Sequence, residues 1–371
     1  MTKPNIYVGL MSGTSMDSID AVAIDFQNSH IQMIGSHSHP IPNTLKQDIL
    51  ALCQPGVDNI DLYGRTDRAL GHLFSDATLA LLEKTNINTK QVIAIGSHGQ
   101  TIRHQPPEKS HGFTLQIGDP NIIAIKTKCA VVADFRRADM ALGGQGAPLV
   151  PAFHHHYFAD PRKHRIILNI GGIANITVLK NNTCSGFDTG PGNLLLDSWC
   201  LKNTGQPFDD KGAWADTGNL SRALVDQLKL HPFFELEPPK STGREVFNAS
   251  WLEQQLTGHT LPAEDIQASL IAFSVETISE AIARIGEPVD DILVCGGGAF
   301  NTALITALEK NVAPYGQPNV SSTSALRVDP EWVEACAFAW LAKQRIELKT
   351  ANIPSVTGAS RATVLGALYH F

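Results

Sequence analysis

The sequence has no excess of positive charge. Its 29 lysines and arginines are outnumbered by 36 acidic residues, which gives a formal net charge of -7. Proteins that bind nucleic acid or anionic membrane surfaces usually concentrate Lys and Arg on one face. The charge balance therefore predicts that neither nucleic acid nor a membrane is a partner.

Long apolar runs are also missing from the sequence as we read it. A membrane-spanning helix needs roughly 18 consecutive apolar residues, and we find no window that approaches this length. The first apolar stretch, residues 6–11, is too short for the apolar region of a signal peptide and runs directly into Gly and Ser. We therefore expect a cytoplasmic protein.

The sequence offers little for a zinc-type metal centre. Its six cysteines are widely spaced, with no C-x-x-C pair and no Cys/His spacing typical of zinc. The wide spacing favours buried thiols in a reducing compartment. Three consecutive histidines, His154 to His156, would point to opposite faces of a strand, so we interpret them as a helix start or a lobe surface.

The length and composition predict two compact α/β units. A chain of 371 residues with 43% hydrophobic and 18% charged content is long enough for two cores. Strand-like and helical segments alternate along it. We assign residues 1–130 and 350–371 to an amino-terminal lobe and residues 131–349 to a carboxy-terminal lobe.

Three glycine-rich turns, each following a β-branched strand, point to a nucleotide. They are residues 9–20, 169–177 and 295–301. Glycine with flanking Ser and Thr lets backbone N–H groups approach phosphate oxygens. A single such turn is commonly a tight connection in a sheet, whereas three favour a nucleotide site. No G-x-x-x-x-G-K-[ST] occurs, and GGIANI lacks the last glycine of a dinucleotide fingerprint.

A series of motifs runs along the chain from residue 9 to about residue 342. In chain order they are GLMSGTSMDSIDAV, HGQTIRH, GDP, DFRRADMALGGQGAPLVP, NIGGIANIT, GFDTGPGN, PPKSTGREVFN, VCGGGAFN and DPEWVEACAFAWLA. Together they resemble the anhydro-N-acetylmuramic acid kinases, within the actin, hexokinase and sugar-kinase superfamily. One position departs from the pattern, because Ser18 stands where we expect glycine. The resemblance implies a two-lobed actin-like (ribonuclease H-like) α/β fold with an interlobe cleft.

The resemblance also implies an activity. It predicts an ATP-dependent kinase that opens the 1,6-anhydro ring of anhydro-N-acetylmuramic acid with water and phosphorylates O6. The products would be N-acetylmuramic acid 6-phosphate and ADP. Mg²⁺, a homodimer and a role in recycling cell-wall amino sugars are further implications. Two alternatives stay open: an ordinary sugar kinase acting on a free hydroxyl, and a non-catalytic actin-like nucleotide-binding protein.

The same resemblance implies the nucleotide-binding residues. The hairpin and the middle turn would hold phosphates, and the late turn would face the nucleoside. The residues expected to do so are Gly13, Thr14, Ser15, Met16, Asp17, Ser18, Ile19, Asp20, Gly171, Gly172, Asn175, Gly296, Gly297 and Gly298.

Asp188 in GFDTGPGN is the expected catalytic base. Water is a poor nucleophile, so a carboxylate must accept its proton. An aspartate before Thr-Gly-Pro-Gly is equally compatible with a turn cap, and the resemblance favours catalysis. Asp17, Asp20 and Asp188 are the acids near the phosphate turns, and we name Asp20 and Asp188 as candidate Mg²⁺ ligands.

Four residues are the candidates for binding the sugar: His98, Gln100, Arg136 and Glu334. Arginine suits the sugar's lactyl carboxylate because it binds carboxylates in a bidentate manner. Glu334 lies on an otherwise apolar helix, where a charge needs a partner, a ligand or a solvent-facing position. His104 and Asp139 are weaker candidates, and Lys240 and Arg244 either contact an anion or lie in a solvated loop.

Overall fold

The chain folds into two compact units in a computed structural model. The structure describes residues 5–13, 16–26, 31–54, 56, 59–106, 112–238 and 240–371. The first unit comprises Met1–Phe158 and Trp332–Phe371, and the second comprises Ala159–Glu331.

The first unit is built on a six-stranded mixed sheet. Strands β1, β2 and β3 form an antiparallel meander, and β4 and β7 run parallel to β1. The order across the sheet is β13-β7-β4-β1-β2-β3, while β5 and β6 form a separate hairpin. The strands are β1 (Ile6–Met11), β2 (Ser18–Asp25), β3 (Gln32–Pro40), β4 (Val92–Ser97), β5 (Gln100–Gln105), β6 (Phe113–Ile117), β7 (Val131–Ala133) and β13 (Ala367–Tyr369).

Helices cover this sheet and supply much of its core. Leu70, Phe74 and Leu81 recur at helical spacing on α2 and are completely buried. The helices of the first unit are α1 (Asn43–Cys53), α2 (Ile60–Lys84), α3 (Pro120–Thr127), α4 (Arg137–Ala141), α5 (Val150–Phe158), α11 (Val333–Ile346) and α12 (Pro354–Thr357). The three consecutive histidines lie on α5, where His154 is buried and His156 is exposed.

Helix α11 lies directly on strands β1 and β4. A Cβ atom on Gly9 would lie 1.8 Å from the carbonyl oxygen of Ala335, and one on Gly96 would lie 2.0 Å from that of Phe338. Only glycine permits so close an approach of helix and strand backbones. The contact brings the first turn of α11, which carries Glu334, onto the sheet.

The second unit repeats this organisation. Strands β8, β9 and β10 are antiparallel, β11 and β12 run parallel to β8, and the order is β10-β9-β8-β11-β12. The strands are β8 (Arg165–Ile170), β9 (Ile173–Lys180), β10 (Thr183–Pro191), β11 (Asp291–Cys295) and β12 (Asn319–Ser322). The helices are α6 (Asn193–Thr204), α7 (Arg222–Leu228), α8 (Ala249–Gln255), α9 (Ala263–Ala283) and α10 (Thr302–Val312).

Helix α9 corrects one prediction from the sequence. It is long and apolar enough to cross a membrane by length and composition, with a mean hydropathy of 1.2 over an 18-residue window. The prediction that no window approaches this was therefore wrong. In the structure 72% of the window is buried, and Leu270, Phe273 and Ile278 pack in the core of the second unit.

Both units share one connectivity, which identifies the fold class. In each, three antiparallel strands are followed by two strands parallel to the first, and helices pack on the sheet. This duplicated set of five strands, to which β13 adds a sixth at the edge of the first sheet, is the actin-like, ribonuclease H-like arrangement. The predicted α/β fold class is confirmed.

The boundaries of the units differ from those predicted at residues 130 and 350. Residues 131–158 and 332–349 belong to the first unit. The reason is pairing and packing over long sequence separations: β7 pairs with β4 and β13, and α11 packs on β1 and β4. Such contacts leave no local signal in the sequence.

Candidate functional site

Strands β1 and β2 pair as an antiparallel hairpin. Its register places Met11 opposite Asp20, and the amide of Met16 donates to the carbonyl of Gly13 over 3.3 Å. Met16 has a left-handed backbone (φ 56°) and a buried side chain. Two predicted nucleotide-binding residues, Thr14 and Ser15, lie outside the described residues. The predicted hairpin itself is confirmed.

Ser18 occupies an ordinary strand position at the start of β2. Its hydroxyl donates to Oδ1 of Asp20 over 3.1 Å, and the hydroxyl of Ser38 donates to the same oxygen over 3.1 Å. The backbone therefore accommodates the side chain that we expected to be absent here. Burial raises the pKa of Asp20, and the two hydroxyl groups oppose that rise.

The other hairpin residues have different surroundings. Asp17 is exposed and forms an ion pair of 2.6 Å with Lys46. Ile19 is completely buried in the core of the first unit. Its side chain is therefore occupied by packing, and only its backbone is left for a ligand.

Arg136 and His98 form a pair in the first unit. The guanidinium donates to Nε2 of His98 over 2.8 and 3.1 Å and to the carbonyl of Gly146 over 2.8 Å. Because a guanidinium only donates, Nε2 of His98 accepts, and Nδ1 carries the proton that it donates to Gly99 over 2.8 Å. Burial, and then the charge of Arg136, hold the pKa of His98 well below its ordinary value. His98 is therefore neutral, and both its nitrogens are used within the protein.

Glu334 and Arg136 influence each other's ionisation. Burial raises the pKa of the half-buried Glu334 carboxyl, Asp20 adds to the rise, and Arg136 opposes it. Burial lowers the pKa of Arg136 to about 10, and Glu334 opposes this effect. Among the described residues Glu334 has no ion pair or hydrogen bond, so its carboxylate is available to a ligand.

Gln100 is held by neighbouring groups. It is buried, its Oε1 accepts from the hydroxyl of Ser12 over 2.6 Å, and its Nε2 donates to the carbonyl of Thr101 over 3.1 Å. Gln100 and His98 thus support the site, and this geometry does not favour the direct sugar contacts predicted for them. The structure does bring His98 and Arg136 together.

Two weaker sugar-binding candidates from the same motifs, Asp139 and His104, form hydrogen bonds with groups of the protein itself. Asp139 is completely buried, and its oxygens accept from the amide of Gly146 and from the side chains of Asn352 and Thr357. His104 shares a hydrogen bond of 3.0 Å with the hydroxyl of Thr114, and burial lowers its pKa to about 4. Asp139 holds the loop that receives Arg136.

In the second unit, two glycine turns meet because their strands are parallel neighbours. Strands β8 and β11 pair Asn169 with Cys295 at their carboxyl ends, the edge at which α/β sheets bind ligands. Gly171 and Gly172 follow β8, and Gly296 to Gly298 follow β11. A Cβ on Gly296, whose φ is 78°, would lie 2.5 Å from Oδ1 of Asn169. Gly298 is buried against β8, whereas Gly297 is exposed.

The predicted base, Asp188, lies on β10 in this unit and is half-buried. Its Oδ2 accepts from the amide of Thr242 over 2.9 Å, and its own amide donates to the carbonyl of Lys240 over 3.0 Å. Burial raises the pKa of the Asp188 carboxyl to about 6, the Thr242 amide opposes the rise, and Glu245 adds to it. Oδ1 has no hydrogen-bond partner in the part of the chain that the structure describes.

The loop 240–245 is the main feature that sequence reasoning missed. The sequence offers two interpretations of it, an anion contact through Lys240 and Arg244 or a solvated loop, and neither predicts that the Thr242 amide binds the carboxyl of Asp188 and that Glu245 adds to the rise of its pKa. The side chain of Lys240 donates to the carbonyl of Phe233 over 3.1 Å and lies over its ring. The only available signal was the motif PPKSTGREVFN itself, since nothing local links it to β10.

One row of polar side chains crosses the second sheet. Strand register places Asn175 of β9 opposite both Asn169 of β8 and Asp188 of β10. Residues directly opposite each other in antiparallel strands share a face of the sheet. One region of the second unit thus contains four of the predicted site residues: Gly171, Asn175, Asp188 and Gly296. It also contains Asn169, which was not among the residues predicted from the sequence.

Comparison with known proteins extends over the whole chain. The family model described as anhydro-N-acetylmuramic acid kinase matches residues 5–371. The chain is 54% identical to the anhydro-N-acetylmuramic acid kinase of Shewanella denitrificans over 372 residues, covering 100% of this chain and 99% of the relative. It is 53% identical to the enzyme of the same name from Shewanella frigidimarina, with the same coverage.

Similarity to solved structures is more distant. The activator of the 2-hydroxyisocaproyl-CoA dehydratase from Clostridium difficile, with bound ADPNP, matches with a TM-score of 0.48 and 13% identity. The match covers 94% of this chain and 100% of the activator. At this level of similarity no ligand of the activator carries over.

Proposed function

The chain belongs to the anhydro-N-acetylmuramic acid kinase family and shares that activity, and from this premise we propose how its residues carry the reaction. ATP is the phosphoryl donor, water opens the 1,6-anhydro bridge, and Asp188 is the general base. The observation that carries the proposal is the carboxyl of Asp188, which has one oxygen held by Thr242 and the other without a partner. It shares its unit with two glycine turns.

The chemistry requires one proton acceptor. Water attacks C1 and gives a proton to Oδ1 of Asp188 while the bond between C1 and O6 breaks. O6 then forms its bond to the γ-phosphorus, the bond from that phosphorus to the β-phosphate oxygen breaks, and ADP leaves. A glycosidase would protonate the leaving oxygen with a second carboxyl group; here phosphorus captures that oxygen instead.

Backbone amides supply most of the nucleotide site in this proposal. We assign phosphate binding to the hairpin 13–20 and to Gly171, Gly172 and Asn175, and nucleoside contact to the exposed turn at Gly296 and Gly297. Gly298 supports that turn from the core. Such bends bind phosphate through N–H groups without a cluster of lysines, which agrees with the net charge of -7.

Asp20 and Asp188 are our candidate Mg²⁺ ligands, each considered within its own unit. Among the described residues no group of three or more His, Cys, Asp and Glu side chains could hold a metal by itself. Mg²⁺ in kinases is commonly held by one or two carboxylates with phosphate and water, so Asp20 and Asp188, each with one oxygen in use, are suitable. The ion would neutralise charge on the β- and γ-phosphates.

We assign the sugar to the charged groups of the first unit. Arg136 matches a carboxylate in charge and fork geometry, and Glu334 offers an acceptor for hydroxyl or amide groups. His98 orients the guanidinium through Nε2, and Gln100 holds the adjacent Ser12. The family further suggests a cytoplasmic homodimer that recycles cell-wall amino sugars.

Isotope labelling tests the hydrolytic step. Turnover in H₂¹⁸O should place one labelled oxygen at C1, and the product mass should equal substrate plus water plus a phosphoryl group. Mass spectrometry of the product and its fragments checks both. An unlabelled anomeric oxygen would instead indicate an ordinary sugar kinase, with Asp188 deprotonating a hydroxyl. Nucleotide-dependent filaments without sugar-dependent ADP release would indicate a non-catalytic actin-like protein.

The pH dependence of turnover should report Asp188. A base works only when ionised, and the pKa of this carboxyl is raised to about 6. We expect kcat/KM to be level above pH 6 and to fall about tenfold per pH unit below it, since kcat/KM follows the free enzyme. Rate measurements from pH 4.5 to 8 check this.

Glu245→Gln should move the fall of kcat/KM at acidic pH, the acid limb of the pH profile, to lower pH. Removing a negative charge near Asp188 makes its ionised form easier to reach. Glu253→Gln, which changes an exposed residue paired with Lys202, is the matched control and should leave the limb in place. A shift to higher pH in Glu245→Gln would contradict the assignment.

A further inference from the structure

Asn169 lies at the centre of the second unit's polar edge. It is the penultimate residue of β8, the middle strand, with Asn175 opposite it on β9 and Cys295 beside it on β11. The two glycine turns begin directly after β8 and β11. Asn169 is half-buried, so a ligand held by these turns can reach its side chain.

The amide of Asn169 has a defined orientation. Its Oδ1 accepts from the thiol of Cys295 over 3.8 Å and lies against Gly296. Its Nδ2 faces the other turn, 3.9 Å from the position that a Cβ on Gly171 would take. Nδ2 has no hydrogen-bond partner among the residues that the structure describes. A donor therefore points towards the turn to which we assign phosphate binding.

The distance from Asn169 to Asp188 suits the transferred phosphoryl group. The two residues lie on the first and third of three adjacent strands in one register, which separates them by about 10 Å. That span accommodates the attacking water, C1, O6 and the phosphorus in sequence. Of the three phosphates of ATP, the γ-phosphate must be nearest the base, because O6 attacks it.

We propose that the side-chain amide of Asn169 binds the γ-phosphoryl group of the nucleotide and positions it for capture of O6. The inference rests on the proposed function of this site. A neutral amide donates to a phosphate oxygen without adding negative charge beside the triphosphate. An aspartate at this position would present a second anion to that group.

Nucleotide binding to the purified full-length chain tests the proposal. Isothermal titration with Mg-ADP and with Mg-AMPPNP compares nucleotides without and with a third phosphate group. Asn169→Ala should weaken AMPPNP about tenfold or more and leave ADP binding unchanged. Asn169→Asp should weaken AMPPNP further, because the carboxylate repels the third phosphate. Both variants should lower kcat.

Two controls separate binding from folding. Cys295→Ala removes the thiol that faces Oδ1 but keeps the Nδ2 donor, so it should weaken AMPPNP less than Asn169→Ala does, and an equal loss in the two variants would overturn the phosphate contact. Asn311→Asp makes the same chemical change on the exposed face of α10 and should have no effect. If Asn169→Ala does not fold, the nearly isosteric Asn169→Asp decides, with thermal unfolding as the check.

The outcomes distinguish this inference from the proposed function. Equal losses for ADP and AMPPNP, or no loss for either, would overturn the role of Asn169 even if the wild-type chain turns over the anhydro sugar. Failure of the ¹⁸O experiment would overturn the hydrolytic step, while a selective loss of AMPPNP affinity would still support the contact.

Discussion

Asp188→Asn should retain ATP binding and lose turnover. The amide keeps the shape of the carboxylate and can still accept from Thr242, but it cannot take a proton from water. A positioned general base contributes roughly 10²- to 10⁴-fold, and we expect a loss of at least that size because water is a poor nucleophile at an acetal carbon. Steady-state rates and titration with Mg-ATP measure the two effects separately.

The matched control for this variant is Asp226→Asn. Asp226 is an exposed carboxylate in the same unit that pairs with Arg222 one helical turn away. Its replacement should leave turnover unchanged. If Asp188→Asn retains turnover within tenfold of wild type, another group is the base.

Arg136→Ala should raise the KM for the sugar about 100-fold. The change removes the cation beside Glu334 and the donor to His98. In the proposed complex Arg136 pairs with the carboxylate of the sugar. Loss of one partner from such a desolvated charge pair commonly costs about 2 to 5 kcal/mol, and a 100-fold change corresponds to about 2.7 kcal/mol. The KM for ATP should change little. Kinetics with each substrate varied in turn measure both constants.

Arg136→Lys distinguishes charge from geometry. Lysine keeps the charge but not the fork that contacts His98 and Gly146, so we expect only partial recovery of the sugar KM. Arg137→Ala is the matched control, because this neighbouring arginine is exposed and pairs with Asp134. A sugar KM for Arg136→Ala within threefold of wild type would exclude Arg136 from sugar binding.

The roles of individual polar residues depended on contacts that the sequence does not display. His98 and Arg136 come from separate motifs, and their hydrogen bond shows that His98 orients the guanidinium. Asp139 and Arg136 lie within one motif, yet Asp139 is a completely buried structural carboxylate. Residue type alone could not separate them, because burial and partners decide whether a polar group serves the fold or a ligand.

The sequence by itself determined the family, the fold class and the candidate base. The fold class follows from local patterns, namely glycine turns after β-branched strands and alternating helices and strands, whereas the family and the role of Asp188 follow from the resemblance of the motifs to those of anhydro-N-acetylmuramic acid kinases. Local patterns can be recognised in the linear sequence because neighbouring residues largely set the backbone conformation.

Only the tertiary structure decided the unit boundaries, the raised pKa of Asp188 and the place of Asn169. The first depends on pairing of β7 and packing of α11, the second on a loop 54 positions further along the chain, and the third on the register of β8 with β9 and β11. All three are set by residues distant in sequence that hydrophobic burial and strand pairing bring together.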